Sequence, residues 1–182
     1  PDRPGPGRRL DRRRTRPAAL AHWPGHPETK LTVFTSRQYA GIRFDQVYPA
    51  MTGIVDIVCE TYSTDRICDS ADIVFMALPH QLPMTFVPDI IKHDKKVIDL
   101  SADFRFNDGA IYETVYQPHT AKDLLGSAVY GLSEIYTDQI KAAALIGNPG
   151  CYPTSVLLPL IPHQHRGRPQ RDPSPRVPGA IV

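Results

Sequence analysis

The sequence predicts an α/β protein built on a parallel sheet with flanking helices, and three observations carry that expectation. The run Ala71-Asp72-Ile73-Val74-Phe75-Met76-Ala77-Leu78-Pro79 is nearly continuous in apolar residues, as parallel strands buried on both faces require. Strand-like, turn-like and helix-like stretches alternate between residues 30 and 162, the arrangement that gives parallel sheets. The stretch Gly147-Asn148-Pro149-Gly150-Cys151-Tyr152-Pro153-Thr154 separates the apolar run 142–146 from the apolar run 155–161. Its two glycines and two prolines mark a tight turn between a strand and a helix.

The elements follow in order. Lys30-Leu31-Thr32-Val33-Phe34-Thr35 is β-branched and aromatic and reads as a strand, followed by a turn through Gln38-Tyr39-Ala40-Gly41. Residues 54–59 form another apolar stretch, with polar turn material at Ser63-Thr64-Asp65-Arg66. Pro79 ends the strand that starts at Ala71, and Pro83 and Pro88 require any helix after His80 to be short or to start within that segment. Lys95-Lys96-Val97-Ile98-Asp99-Leu100 is the next strand and delivers Ser101-Ala102-Asp103-Phe104-Arg105 to its carboxyl end, where ligand groups collect in open α/β sheets. Residues 108–126 read as short helices or a connection, and 136–144 as a helix leading to the cysteine turn.

Composition divides the chain into three. Residues 1–30 hold seven of the fifteen arginines and six of the nineteen prolines and sum to +5. Residues 163–182 sum to +3, whereas 31–162 sum to −6. The expected organisation is an Arg/Pro-rich segment at 1–29 without order, one folded region at 30–162, and an unordered tail at 163–182. A nucleic-acid reading would rest entirely on the two basic ends, and its signature would be salt-sensitive affinity residing in them. That leaves a non-catalytic α/β module binding an anion or nucleic acid as the rival class. Cys59, Cys68 and Cys151 form neither a CxxC pair nor an even framework, so neither zinc nor a disulfide scaffold is expected. His163 and His165 lack a cysteine or carboxylate at metal-ligand spacing, and no metal is expected. No apolar stretch reaches the ~20 residues of a membrane span, and the expected location is the cytoplasm.

Chemistry concentrates at the turn. If a helix starts there, Cys151 stands at its first turn, where free N–H groups and the peptide dipoles favour a thiolate. Asn148 can offer an amide donor to oxygen charge developing beside the sulfur. The bland alternative is a small buried cysteine in a connection. Ser36 and Arg37, just past a strand end, could hold a phosphate; the alternative is a solvated loop arginine. Arg105 is the expected anion anchor, against a salt bridge to Asp99 or Asp103. His80 is either a ligand or base, or a histidine bonded to a backbone carbonyl.

Five motifs in order, Thr35-Ser36-Arg37, Ala77-Leu78-Pro79-His80, Val97 through Arg105, Val129-Tyr130-Gly131-Leu132 and Asn148 through Thr154, make the middle resemble the N-acetyl-gamma-glutamyl-phosphate reductases. The related aspartate-semialdehyde dehydrogenases usually carry an Asn-Cys-Thr type of motif, which this chain lacks. The resemblance implies a Rossmann-like NADP-binding sheet with Cys151 as nucleophile and Asn148 as oxyanion donor. Arg105 and Ser101 would meet a small-molecule acyl phosphate. Ser36 and Arg37 would meet the 2′-phosphate of NADP, and the backbone of Ala77, Leu78 and Pro79 would line the dinucleotide. The family's Gly-rich phosphate loop has no counterpart in 8–27 beyond Gly25, and its second catalytic domain, with the acid–base histidine, is largely missing after residue 162. The sheet is accordingly expected to be incomplete, family-like homo-oligomers to be in doubt, and activity to be impaired. A reading-frame error at both ends is the expected cause, which resequencing of the coding DNA would decide.

Overall fold

A computed structural model describes residues 26 and 28–165, with side chains as far as Ile161. The basic segment before His26, with Trp23 and Gly25, and the tail with the side chains of His163 and His165 lie outside the described residues. The chain forms two compact units, divided between Ser63 and Thr64.

The described part of the first unit is organised by aromatic packing rather than by a sheet. Phe44, Met51, Val55 and Cys59 are buried together, with Leu31, Phe34, Tyr39, Tyr48 and Ile57 packed against them. Phe34 meets Phe44 edge-on at 4.7 Å, a favourable aromatic geometry. The strand expected over 30–35 is not formed. A ladder needs successive partners, and here only a parallel bridge between Thr35 and Glu60 exists. It is closed by the Ser36 amide on the Glu60 carbonyl and by the Glu60 amide on the Phe34 carbonyl, both at 2.9 Å. The turn over 37–41 is present, and Gly41 takes a φ of +83° there, where glycine is at no disadvantage. Helix α1, Phe44–Val47, is a single turn followed by a 3₁₀ turn at Pro49–Met51.

The second unit carries the sheet. Helix α2, Thr64–Ser70, opens it, so the polar run expected as turn material is a helix start instead. Ile67 and Cys68 give that helix a buried side, which polar residues in its first turn did not reveal. Then come β1 (Ile73–Met76), α3 (Pro83–Lys92), β2 (Lys96–Asp99), α4 (Gly109–Val115), a 3₁₀ segment Lys122–Ser127, β3 (Val129–Tyr130), α5 (Ser133–Ala142), β4 (Leu145–Gly147) and α6 (Cys151–His165). Helix α3 does start inside the proline-bearing segment, with Pro83 in its first turn, where a missing N–H costs nothing. The strands lie in the order β1-β2-β4-β3, every pair parallel. The predicted parallel α/β architecture is therefore the observed one.

Because β4 inserts between β2 and β3, the loop that follows it emerges in the middle of the sheet. Val97 on β2 pairs with Leu145 and Asp99 with Gly147, while Tyr130 on β3 also pairs with Gly147. All three residues of β4 are buried. Val97, Leu145 and Ile146 join Val87 and Ile90 of α3 among the buried apolar residues. Burial of this kind, at ~25 cal/mol per Å² of apolar surface, is what holds so short a set of strands.

Candidate active site

The carboxyl ends of all four strands open on the same edge of the parallel sheet, and each carries one of the predicted stretches. Ala77, Leu78 and Pro79 follow β1 with Ala77 and Pro79 exposed. The loop 100–105 follows β2, Gly131 and Leu132 follow β3, and the cysteine turn follows β4.

Helix α6 begins at Cys151 itself. The Thr154 amide donates to the Gly150 carbonyl at 3.1 Å, closing the first helical turn, and the Thr154 hydroxyl donates to the same oxygen at 2.9 Å. Cys151 is exposed, unlike Cys59 and Cys68, which are buried. Burial pushes both of those thiols up and away from ionisation. The bland reading of Cys151 as a small buried residue is thus excluded by its position.

The turn before the cysteine is fixed by contacts on both sides. The Asn148 amide donates to the Asp99 carbonyl at 2.8 Å, extending the β2–β4 pairing by one bond. The Asn148 side-chain amide donates to the Pro149 carbonyl at 3.1 Å. At Gly147 a Cβ would stand 2.1 Å from the Phe104 carbonyl oxygen, so only glycine lets the two loops approach. Gly131 is similarly confined: a Cβ there would lie 2.9 Å from Cγ2 of Ile146.

Arg105 lies across this junction. Its Nε donates to the Asn148 carbonyl at 2.7 Å and its Nη2 to the Leu100 carbonyl at 3.0 Å. Neither expected carboxylate partner is the one it takes. A Cβ on Gly150 would be 3.3 Å from Nη1, which places the guanidinium against the backbone next to Cys151. The half-buried Tyr130 has a hydroxyl sealed from solvent and without a hydrogen-bond partner among the described residues. Burial raises its pKa and the nearby charge of Arg105 opposes that rise.

Beneath the loop sits a buried acidic network built on Asp99 and Asp103, whose places in the sequence suggest ion pairs with Arg105. Asp99 is 0% exposed and accepts from the Ser101 hydroxyl at 2.6 Å and the Ser101 amide at 3.0 Å. Burial pushes the Asp99 carboxyl up to about 6, against the pull of those two bonds. The Ser101 hydroxyl also accepts from the Asp103 amide at 3.0 Å. Ser101 is 2% exposed, so its hydroxyl shapes the loop from within. Asp103, likewise 0% exposed, accepts from the Gln81 amide at 2.7 Å and the Tyr112 hydroxyl at 2.9 Å. The Tyr112 phenol is raised by burial and by that carboxylate. His119 accepts from the Ala121 amide at Nδ1, so its Nε2 is the donor to the Asp103 carbonyl at 2.8 Å. His80 bonds through Nδ1 to the Ala102 amide at 3.0 Å, an amide rather than the expected carbonyl. The one legible signal for this network was a pair of aspartates, one ending an apolar strand and the other four positions beyond it.

In the first unit Ser36 is half-buried, its hydroxyl accepting from the Tyr39 amide at 3.3 Å, and Arg37 is exposed at the start of the turn. No helix among the described residues is long and apolar enough to cross a membrane.

Comparison with known proteins agrees with this arrangement. The family model for the semialdehyde dehydrogenase NAD-binding domain matches residues 19–143. An N-acetyl-gamma-glutamyl-phosphate reductase of Desulforapulum autotrophicum is 52% identical over 79% of this chain and 41% of its own length. Reductases of the same name from Desulfotalea psychrophila and Syntrophobacter fumaroxidans are 48% and 50% identical, each over 75% of this chain and 40% of their own length. The chain thus spans about two fifths of the curated relatives it matches. With a parallel sheet of the expected kind and a family match over most of its length, the chain belongs to the semialdehyde dehydrogenase NAD-binding domain family.

Proposed function

We propose that residues 30–162 form the NADP-binding and cysteine-bearing part of an N-acetyl-gamma-glutamyl-phosphate reductase. Its reaction converts N-acetyl-L-glutamyl 5-phosphate to N-acetyl-L-glutamate 5-semialdehyde with release of phosphate. The observation that carries the reading is an exposed cysteine at the first turn of α6, on a turn that Arg105 and β2 hold in place. The names of relatives about half identical in sequence support the choice of substrate.

In this mechanism the Cys151 thiolate attacks the acyl carbon. A carbon–sulfur bond forms, the bond from carbon to phosphate oxygen breaks, and phosphate leaves with the electron pair. A thiolate suits the step because it is strongly nucleophilic and can leave again. Arg105 balances charge on the phosphate, and Asn148 steadies the oxyanion on the acyl carbon. Ser101 serves substrate binding through the loop it shapes. NADPH, when bound, supplies the hydride that reduces the thioester carbon to the aldehyde, after which Cys151 is released. In the second unit the backbone of Ala77, Leu78 and Pro79 would line the cofactor; for the first unit, the family resemblance implies that Ser36 and Arg37 meet a 2′-phosphate. The open backbone beyond β1 fits such a ligand, since it stands at the carboxyl end of a parallel strand.

The test is the acylation half-reaction, read by intact mass with phosphate release measured in parallel. The chain should gain one N-acetylglutamyl group and Cys151→Ser none. Acylation that persists in Cys151→Ser would refute the role.

A further inference from the structure

Two hydrogen bonds join the loop after β1 to the loop after β2, and one of them ends on the buried acidic network. Gln81, two residues past Pro79, has a φ of +79°, a left-handed conformation that residues with a side chain rarely adopt. Its amide points at the buried Asp103 carboxylate, 2.7 Å away. The neighbouring His80 is tied to the same loop through the Ala102 amide. Asp103 is itself fixed before it reaches Gln81. Its other carboxylate oxygen takes the Tyr112 hydroxyl, its amide meets the Ser101 hydroxyl, and its carbonyl accepts from His119.

We propose that Asp103 is a positioning residue that holds the turn 79–82 in its left-handed bend, and so presents the Ala77–Pro79 backbone to the nicotinamide cofactor. The second half of this statement rests on the cofactor reading above; the first does not. A charged acceptor sealed from water makes a stronger bond to an amide than a neutral one does. That bond offsets the unfavourable φ at Gln81, and the β2 loop that supplies it also carries Arg105.

Two readouts on the 182-residue chain test the proposal. The first is amide hydrogen exchange at Gln81, referred to Val97, whose amide bonds the Ala144 carbonyl inside the sheet. Asp103→Ala should raise the ratio of Gln81 to Val97 exchange about tenfold or more. Asp103→Asn keeps the shape with a weaker acceptor, serves if the alanine variant does not fold, and should raise the ratio about threefold. Tyr112→Phe removes only one of the three contacts that fix Asp103 and should raise the ratio less than about twofold. The second readout is NADPH affinity by nucleotide fluorescence. Asp103→Ala should weaken it about tenfold, Tyr112→Phe should not, and adding Gln81→Gly to Asp103→Ala should recover it, because glycine takes positive φ unaided. A ratio indifferent to both Asp103 variants, or raised as much by Tyr112→Phe, overturns the clasp. Affinity that ignores Asp103 overturns its positioning role. The expected exchange pattern without NADPH binding in the unaltered chain overturns the cofactor reading and leaves the clasp standing.

Discussion

Arg105 and Arg37 stand in two different settings. The Arg105 guanidinium is partly buried and anchored by the carbonyls of Leu100 and Asn148, so its charge is held in one place beside the cysteine turn. Arg37 is exposed in a turn. Under the proposed function, Arg37→Ala should weaken NADPH binding by roughly ten- to a hundredfold, the worth of a charge-assisted hydrogen bond, and leave NADH binding nearly unchanged. Competitive titration with both nucleotides checks this, and equal losses would assign Arg37 to the fold alone. Motif spacing made both arginines visible in the sequence. Which of them is locked to backbone was not, because the carbonyls that do it come from residues 5 and 43 positions away in the chain.

At the scale of elements, the site depends on how closely β4 and the loop after β2 approach. Gly147 is the contact point: a side chain there would have to displace the backbone at Phe104. Gly147→Ala should therefore destabilise the protein by about 2–4 kcal/mol, in the upper range for overpacking. Gly126→Ala, where a Cβ meets nothing within 4 Å, should be neutral or stabilise by up to about 1 kcal/mol. Urea unfolding of the two variants checks the contrast, and similar losses would remove the close-approach argument. The glycines of the turn announced tightness in the sequence. The reason Gly147 in particular must be glycine is a contact with residue 104, which no local pattern encodes.

For the whole molecule, the buried acid network links stability to pH. Asp99 has an ordinary carboxyl value of 3.8 when unfolded and about 6 when folded, so the folded state holds the proton more tightly. Its favourable contribution is full below about pH 4 and is lost as pH rises through about 6. The shift corresponds to about 3 kcal/mol. The stability difference between Asp99→Asn and the unaltered protein should accordingly move by about 2 kcal/mol in favour of asparagine between pH 4 and pH 7. Denaturant titrations at both values measure it; a difference that stays flat would mean that the ionisation of Asp99 does not distinguish the folded state.

The parallel sheet was legible in the sequence, since apolar runs alternate with turn-like and helix-like stretches; burial on both faces was not met at β1, where Ile73 and Phe75 remain exposed. The sequence also determined where the cysteine sits relative to a helix start, because the Gly-Asn-Pro-Gly turn ends one periodicity and opens another. Propensity misjudged 30–35, where β-branched residues make a single bridge and pack into an aromatic cluster, because a strand exists only where a partner supplies its ladder. The place of β4 between β2 and β3 follows from the packed sheet, and it brings Gly147 under Phe104 and Arg105 onto the cysteine turn. Tertiary structure also decided that Asp103, four positions beyond the end of β2, bonds to Gln81. Such pairings are set by sheet order and burial, which join residues far apart in the chain through contacts that exist only once the fold is complete.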